Sequence, residues 1–364
     1  MKLFGKEYTK EELLKKTGDI SQLGGVKQYE FTDGLAKGLR AVDIKSPSGI
    51  EMTVILDRAM DISSFTYKNI PIAWRSATKE ASAIYYESKG LEWLRTFFGG
   101  LLTTCGLTYF GSPTTDNGEE LGLHGRISNL PASNVLSDYK WENDDCVMWV
   151  EGKVREVKVL FEKLELQRKI TTFMSQPKVI IEDTVENIGF KKSPLMILYH
   201  MNFGFPLLDS TTELIVPKST KTTPFSEEAK KNVESFSKFY EPVNDFEEHV
   251  FYHEIKEDKD GNCNVALINK EFNNGNGLGV AIKFNKNNLP YLVQWKYAGS
   301  GEYVCGIEPA NSLLGGRNVE IKNKNVRFIN PGEKINFKIE VNILSSIKEI
   351  EDFERKYCWL GINP

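Results

Sequence analysis

The chain has 364 residues, 40% of them hydrophobic and 26% charged, which is typical of a soluble globular protein. A formal net charge of −4 argues against nucleic acid or an anionic membrane as a partner, because neither would be attracted electrostatically. The sequence shows no signal-peptide core and no membrane-spanning run, and its five scattered cysteines favour reduced thiols, so we expect a cytoplasmic protein.

The N-terminal part of the chain mixes a short helix with strands. Thr9 is a candidate N-cap for a helix over "KEELLKK", and residues 1–30 are expected to be helical or extended. In "GIEMTVILD" (49–57) alternate apolar residues predict a strand that follows the turn signal "SPSG". Residues 91–98 have mixed apolar and charged spacing, which favours a helix.

The middle of the chain alternates apolar and polar residues almost continuously from 145 to 186. Hairpin breaks are predicted at "EGK" (151–153) and at "SQPK" (175–178). The following segment, 210–245, is richer in Lys, Thr, Ser and Glu, and we interpret it as an excursion from the sheets.

The C-terminal third repeats the strand pattern. "VALIN" (265–269) and "LGVAIKF" (278–284) flank "NNGNG", and "YLVQWKY" (291–297) follows. "NVRFIN-PGEK-INFKIEVNIL" (325–344) predicts a strand, a turn and a second strand, before a helical pattern over 347–357.

Few helices are available to cover strand faces, so a parallel βαβ architecture is disfavoured. Two large antiparallel sheets packed face to face explain the long alternating segments better. The sequence therefore predicts a mainly β protein that forms a single domain over residues 1–364.

Two short motifs are better explained by strand structure than by ligand binding. "GNGLG" (275–279) precedes a strand, whereas a dinucleotide-binding loop precedes a helix, so a hairpin turn is favoured. "HVFYH" places His249 and His253 four residues apart, as in zinc helices, but it lacks the glutamate, a third ligand and helix-forming residues. We predict no metal site and assign His253 to a polar pocket.

Three polar residues lie in unusually apolar, glycine-flanked stretches: His124 in "LGLHGR", His200 in "LYHMNFGFP" and Glu308 in "YVCGIEPANSLLGGR". Each could simply satisfy a local backbone hydrogen bond. Carboxylates are rarely buried without a partner, and a buried glutamate has a raised pKa that suits a general base. Neither a GxSxG motif nor a protease-type cysteine is present, so together the three residues favour acid/base catalysis.

This pattern resembles the aldose 1-epimerase (galactose mutarotase-like) superfamily, and most closely its DUF4432 branch, over about residues 34–345. The resemblance implies a β-supersandwich that binds a sugar. "LHGR" resembles the family's "LHGG" motif and gives His124 a contact near the ring oxygen and anomeric centre. "LYHMNFG" gives His200 the role of general acid, and "GIEPAN" gives Glu308 the role of general base.

Two features of the family have no clear match. The arginine of its "GRxxNRI" segment is missing from "FFGGLLTTCGL", and Arg58 or Arg126 could replace it. Its sugar-binding aspartate also lacks a counterpart, and Asp245 or His253 in "NDFEEHVFYH" could substitute.

Other residues are predicted to bind the sugar. Trp295, with Tyr199 as second choice, is expected to form an apolar platform, and Lys296 lies beside it in sequence. The amides of Asn202, Gln294 and Asn311 can donate and accept hydrogen bonds to hydroxyls at once. Imidazolium at His200 and carboxylate at Glu308 would open and reclose the hemiacetal ring without a cofactor.

The most direct interpretation is therefore an isomerase of the aldose 1-epimerase type whose partner is a small-molecule sugar. A non-catalytic carbohydrate-binding or sensor protein on the same fold is the first alternative. An epimerase or isomerase of an unusual sugar is the second. The sequence does not identify the sugar or its charge, and it does not decide whether the chain forms a homodimer.

Overall fold

The computed structural model describes residues 1–358, and strands dominate its secondary structure. The first twelve strands are β1 Lys2–Leu3, β2 Lys6–Glu7, β3 Gly25–Glu30, β4 Arg40–Lys45, β5 Ile50–Ile55, β6 Asp61–Tyr67, β7 Ile70–Pro71, β8 Thr103–Leu107, β9 Thr114–Asp116, β10 Glu119–Leu121, β11 Ala132–Glu142 and β12 Asp145–Val157. The next twelve are β13 Lys163–Phe173, β14 Lys178–Asn187, β15 Ser193–Gly204, β16 Thr212–Ile215, β17 Lys221–Pro224, β18 His249–Glu254, β19 Asn262–Asn269, β20 Leu278–Asn285, β21 Tyr291–Gly299, β22 Glu302–Ala310, β23 Arg327–Ile329 and β24 Lys334–Leu344.

The helices are short. They are α1 Lys10–Leu14, α2 Glu227–Lys231, α3 Phe272–Gly275, α4 Arg317–Lys322 and α5 Ile347–Tyr357. Turns of 3-10 helix occupy Ile20–Gln22, Gly34–Ala36, Ala83–Tyr85, Glu92–Thr96, Ile127–Asn129 and Val233–Ser235. None of the helices within residues 1–358 has the length and apolar character needed to cross a membrane.

Three antiparallel sheets hold nearly all of the strands. The largest has eight strands in the order β11-β12-β13-β14-β24-β20-β19-β16. The second has seven, in the order β17-β18-β21-β22-β15-β23, with β8 also paired to β15. The third has five consecutive strands, β3 to β7. The mainly β architecture predicted from the sequence is confirmed.

The main hydrophobic core joins residues from all three sheets. Leu166, Ile181 and Ile339 of the eight-stranded sheet meet Ile197 and Phe203 of β15 in one buried cluster. Because strand side chains alternate between faces, β15 directs its odd-numbered residues to this core. Burying each apolar side chain of this size contributes ~1.5–3 kcal/mol.

A charged network crosses the same core. Arg168 of β13 is fully buried and donates hydrogen bonds to Asp183 at 2.7 and 2.9 Å and to Asp61 at 2.9 Å. Tyr199 of β15 donates from its hydroxyl to Asp183 at 2.8 Å. The network therefore ties β15, which also carries His200, to the opposing sheet.

The opposite face of the seven-stranded sheet carries a second hydrophobic cluster. Leu198 of β15 and Val293 of β21 belong to it. Trp93 and Phe97, from the segment around the 3-10 turn Glu92–Thr96, pack over them. This face positions the candidate site described below.

Several local predictions are confirmed. Thr9 caps α1, since its side chain accepts a hydrogen bond from the backbone of Glu12. Helix α5 spans the predicted residues. The first three residues of "GNGLG" lie in the connection between the antiparallel strands β19 and β20, and its last two begin β20. At 91–98, however, the structure has only the 3-10 turn.

The predicted break at 151–153 is wrong, because β12 runs through it and the connection to β13 falls at 158–162. Gly152 serves close packing there, since a Cβ atom would lie only 2.8 Å from Sδ of Met60. The predicted break at 175–178 is confirmed.

The segment 210–245 contributes β16 to an edge of the eight-stranded sheet and β17 to an edge of the seven-stranded sheet. The single domain predicted over 1–364 includes residues 359–364, which lie outside the described residues.

Candidate active site

A cavity of about 230 Å³ opens on the second hydrophobic cluster. Its lining includes His124, His200 and Glu308, so the fold brings together three residues that are far apart in sequence. The cavity is small beside the ~300–1,000 Å³ typical of drug-sized ligands, which suits one small molecule.

His200 and Glu308 lie side by side on neighbouring strands. Met201 of β15 pairs with Ile307 of β22, and this register sets His200 next to Glu308. Nε2 of His200 lies 3.3 Å from Oε1 of Glu308, and both side chains are almost completely buried.

Gly306 makes room for this carboxyl group. Residues two apart on a strand share a face, so Glu308 reaches back over position 306. A Cβ atom at 306 would lie well inside 3.0 Å of Oε1 of Glu308, and 3.2 Å from Cβ of Trp295. The glycine before Ile307 and Glu308 therefore has a steric cause.

His124 reaches the cavity from a tight turn. Both His124 (φ 57°) and Gly125 (φ 77°) are left-handed, and a Cβ at 125 would collide with the carbonyl oxygens of Tyr109 and Gly106. The His124 ring lies edge-on to Trp93 and His200, with centroids 4.9 and 5.7 Å away. The glycine that follows His124 in "LGLHGR" is thus required by the backbone.

Burial governs the protonation of these groups. It lowers the pKa of His124 to about 4, and it lowers the pKa of His200 well below its usual range, with His124 adding to the effect. Burial, helped by the charge of Glu248, raises the pKa of Glu308 well above its usual range. Burial thus favours a neutral imidazole beside a protonated carboxyl group, whereas the sequence-based expectation is an imidazolium and a carboxylate.

Three polar atoms of the site have no hydrogen-bond partner in the described part of the chain: Nδ1 of His124, Nδ1 of His200 and Oε1 of Glu308. The close approach of Nε2 of His200 to Oε1 of Glu308 does not meet hydrogen-bond geometry. Buried polar groups are normally satisfied, so three such atoms around one cavity indicate a place for a polar ligand.

Aromatic rings form the walls. His200 lies 5.1 Å from the ring of Phe97 and 5.5 Å from that of Trp295, measured between centroids. Nε1 of Trp295 donates a hydrogen bond to Glu248 at 3.1 Å, which fixes the indole. Trp295, the predicted platform residue, therefore forms part of the cavity wall.

The model of the family DUF4432, a domain of unknown function, matches residues 36–343. The chain belongs to this family. A search of the curated proteins found no match.

Solved structures place this DUF4432 chain among galactose mutarotase-like folds. It is similar to a Klebsiella pneumoniae protein provisionally described as an aldose 1-epimerase, with a TM-score of 0.86, 25% identity and coverage of 96% of this chain and 90% of that chain. A galactose mutarotase-like protein of Clostridium acetobutylicum gives a TM-score of 0.57, 16% identity and coverage of 89% and 99%. The galactose 1-epimerase of Lactobacillus acidophilus gives a TM-score of 0.55 and 10% identity, with coverage of 88% of this chain and 99% of that chain. The last two share the fold alone.

Several predicted sugar contacts of the DUF4432 chain do not line the cavity. Tyr199 faces the core, because its neighbour His200 takes the other face of β15. Asn202 lies behind His200 and donates to the carbonyl oxygens of Gly100 and His200. Asn311 binds the backbone of β15, accepting from Ile197 and donating to Leu195.

A second group lies on the other face of β18 and β21. The amide oxygen Oε1 of Gln294 accepts a hydrogen bond from Nε2 of His253 at 3.0 Å, and its amide nitrogen donates to the carbonyl of Phe236. Lys296 is buried, donates to the carbonyls of Ser235 and Lys238, and has its pKa lowered to about 8 by burial. These side chains hold the 210–245 segment against the sheet and do not reach the cavity.

The two candidate arginines are also elsewhere. Arg58 is buried and donates to the carbonyls of Ser128, Ala81 and Thr96, so its role is structural. Arg126 is exposed and does not line the cavity. Neither arginine lines the cavity, so neither contacts it as the expected replacement for the arginine of the mutarotase "GRxxNRI" segment.

Sequence reasoning missed other lining residues, among them Glu248, Trp93, Phe97, Phe225 and Ser112. Glu248 lies within "NDFEEHVFYH", the stretch in which Asp245 or His253 was expected to replace the family's aspartate. Trp93 and Phe97 are aromatic residues four positions apart. This spacing could have indicated them as lining residues, but it is also typical of one face of a helix. Within residues 1–358 no cluster of three or more His, Cys, Asp or Glu side chains could hold a metal ion.

Proposed function

We propose that the protein is an isomerase of the aldose 1-epimerase type, which interconverts the anomers of a small sugar. The observation that carries the proposal is the contact of 3.3 Å between His200 and Glu308 at the buried end of a cavity that His124 also lines. The similarity to mutarotase-like folds supports it.

The two groups provide the proton transfers that the reaction needs. A carboxylate at Glu308 takes the proton of the anomeric hydroxyl, while an imidazolium at His200 donates a proton to the ring oxygen as its bond to the anomeric carbon breaks. The open-chain aldehyde then rotates about the bond to its second carbon. Reclosure on the other face reverses both transfers, so the protons balance over one turnover.

The protonation state favoured by burial fits this cycle. After ring opening, Glu308 carries the proton and His200 is neutral, which is the state that desolvation of the two groups favours. The carboxylate and imidazolium that start the cycle differ from this form by one proton moved from Glu308 to His200, whose Oε1 and Nε2 atoms lie 3.3 Å apart.

His124 acts as a neutral hydrogen-bonding group in this scheme. Its pKa of about 4 keeps the ring uncharged near neutral pH. Its edge-on packing on Trp93 fixes the ring plane, so that a ring nitrogen can bond the sugar near the anomeric centre.

Exchange NMR on a panel of aldoses tests the proposal. The wild-type protein is expected to accelerate anomer exchange, and His200→Ala and Glu308→Gln to abolish it without loss of the folded near-UV CD spectrum. His253→Gln is the matched control, since that buried histidine faces away from the cavity. Full exchange in both site variants would refute the roles, and sugar binding without exchange by the wild type would favour a non-catalytic binding protein.

A further inference from the structure

The cavity changes character from its buried end to its entrance. His200 and Glu308 are only 4% and 1% exposed. The lining residues Leu91, Leu94 and Phe225 are 58%, 47% and 39% exposed, which places them at the opening. A ligand thus meets acid/base groups at one end and apolar side chains at the other.

The lining also lacks positive charge. Among residues 1–358, no lysine or arginine lines the cavity, whereas two carboxyl groups, Glu248 and Glu308, do. Arg317, which does not line the cavity, is paired with Asp116 at 2.6 Å and with Glu119 at 3.1 Å. An anionic group on the ligand would find no cation to compensate the loss of its hydration.

Partners for additional hydroxyl groups are few. Ser112 has the one hydroxyl in the described lining. Its backbone N–H donates to the carbonyl of Leu314, and the N–H of His124 donates to Gly111, so neither is free for a ligand. A sugar hydroxyl packed against Leu91, Leu94 and Phe225 would give up water contacts that these three side chains cannot replace.

We infer that the substrate is an uncharged deoxy sugar, with its hydroxylated anomeric end at His200 and Glu308 and its apolar end at Leu91, Leu94 and Phe225. This inference rests on the proposed function, because the reaction fixes which end of the sugar lies at the buried carboxyl group. A methyl group in place of a hydroxymethyl group would pack on the entrance side chains, while a phosphate or carboxylate there would face Glu248.

The test is a titration with two matched series: D-galactose, D-fucose, galactose 6-phosphate and galacturonate, and the corresponding D-glucose compounds. Tryptophan fluorescence reports binding and exchange NMR reports turnover. In at least one series the 6-deoxy sugar should bind about 3- to 10-fold more tightly than the parent sugar. The phosphate and the uronate should bind at least ~10-fold more weakly than the parent at low salt.

Leu94→Ser removes apolar surface at an exposed position of the entrance and is expected to reduce the preference for the deoxy sugar. Leu136→Ser, at an exposed strand position outside the cavity, is the control and should not change that preference.

Tighter binding of the anionic sugars, equal binding of parent and deoxy sugars, or no binding in either series would overturn the inference. Selective binding without exchange would refute the proposed catalysis and leave the ligand class standing. Anomer exchange without a preference for the deoxy sugar would support the proposed catalysis and refute the ligand class.

Discussion

Gly306→Ala tests whether the position of the Glu308 carboxyl group matters. The added methyl group would occupy the space in which Oε1 of Glu308 now lies, and would approach Cβ of Trp295 to 3.2 Å. The carboxyl group is the far end of a flexible side chain, so it can rotate away. The substitution should therefore displace the proposed base without unfolding the strand.

The expected magnitudes follow from these contacts. Rotation of the carboxyl group by about 1 Å would break its 3.3 Å contact with His200. A misplacement of that size costs about 10²-fold in rate, or ~2.7 kcal/mol of transition-state stabilisation. The stability cost should stay near ~1 kcal/mol, because only the Trp295 contact has to shift by a few tenths of an ångström.

Exchange NMR on the best sugar substrate measures the rate, and urea unfolding measures stability. Gly152→Ala is the control, since that strand glycine also packs against a flexible side chain, Met60, but lies outside the cavity. An unchanged rate in Gly306→Ala, with a stability loss like that of the control, would show that the carboxyl position is not needed.

Three further results are expected. Glu248→Gln removes the charge that raises the pKa of Glu308, so the pH–rate profile should move to lower pH. Burial lowers the pKa of His253 to about 4, below its usual 6.5, so stability that is fully present above pH 6.5 is lost as the pH falls towards 4. His253→Gln should reduce this loss by at most ~3 kcal/mol, measured by denaturant titrations at each pH. Arg168→Met leaves buried carboxylates unpaired and should cost ~3–5 kcal/mol by urea unfolding, against ~1 kcal/mol for Tyr199→Phe. An unshifted pH–rate profile in Glu248→Gln would contradict the first expectation, and an unchanged loss of stability at low pH in His253→Gln would contradict the second. A larger loss of stability in Tyr199→Phe than in Arg168→Met would contradict the third.

Strand periodicity made the fold predictable from the sequence, and it also explains which site residues were misplaced. Adjacent strand residues point to opposite faces, so Tyr199 and His200 could not both line one cavity. The same rule applies to Gln294, Trp295 and Lys296, of which only Trp295 reaches the cavity. The two-residue period of a strand, applied to these neighbours, is enough to separate them.

Other placements depend on long-range packing that no local pattern encodes. Arg58 is held by carbonyl oxygens from three separate segments, and its burial could not be read from "LDRAMDI". Glu248 reaches the cavity through its bond to Trp295, 47 residues away. Glu308 differs, because its apolar neighbours and Gly306 indicate a buried carboxyl group from the local sequence alone.

A crystal structure with a bound sugar tests the central claim most directly. We expect the anomeric hydroxyl within hydrogen-bonding distance of Glu308, the ring oxygen next to His200, and the opposite end of the ring against Leu94 and Phe225. A sugar bound elsewhere on the chain, or one whose anomeric carbon points out of the cavity, would contradict the account.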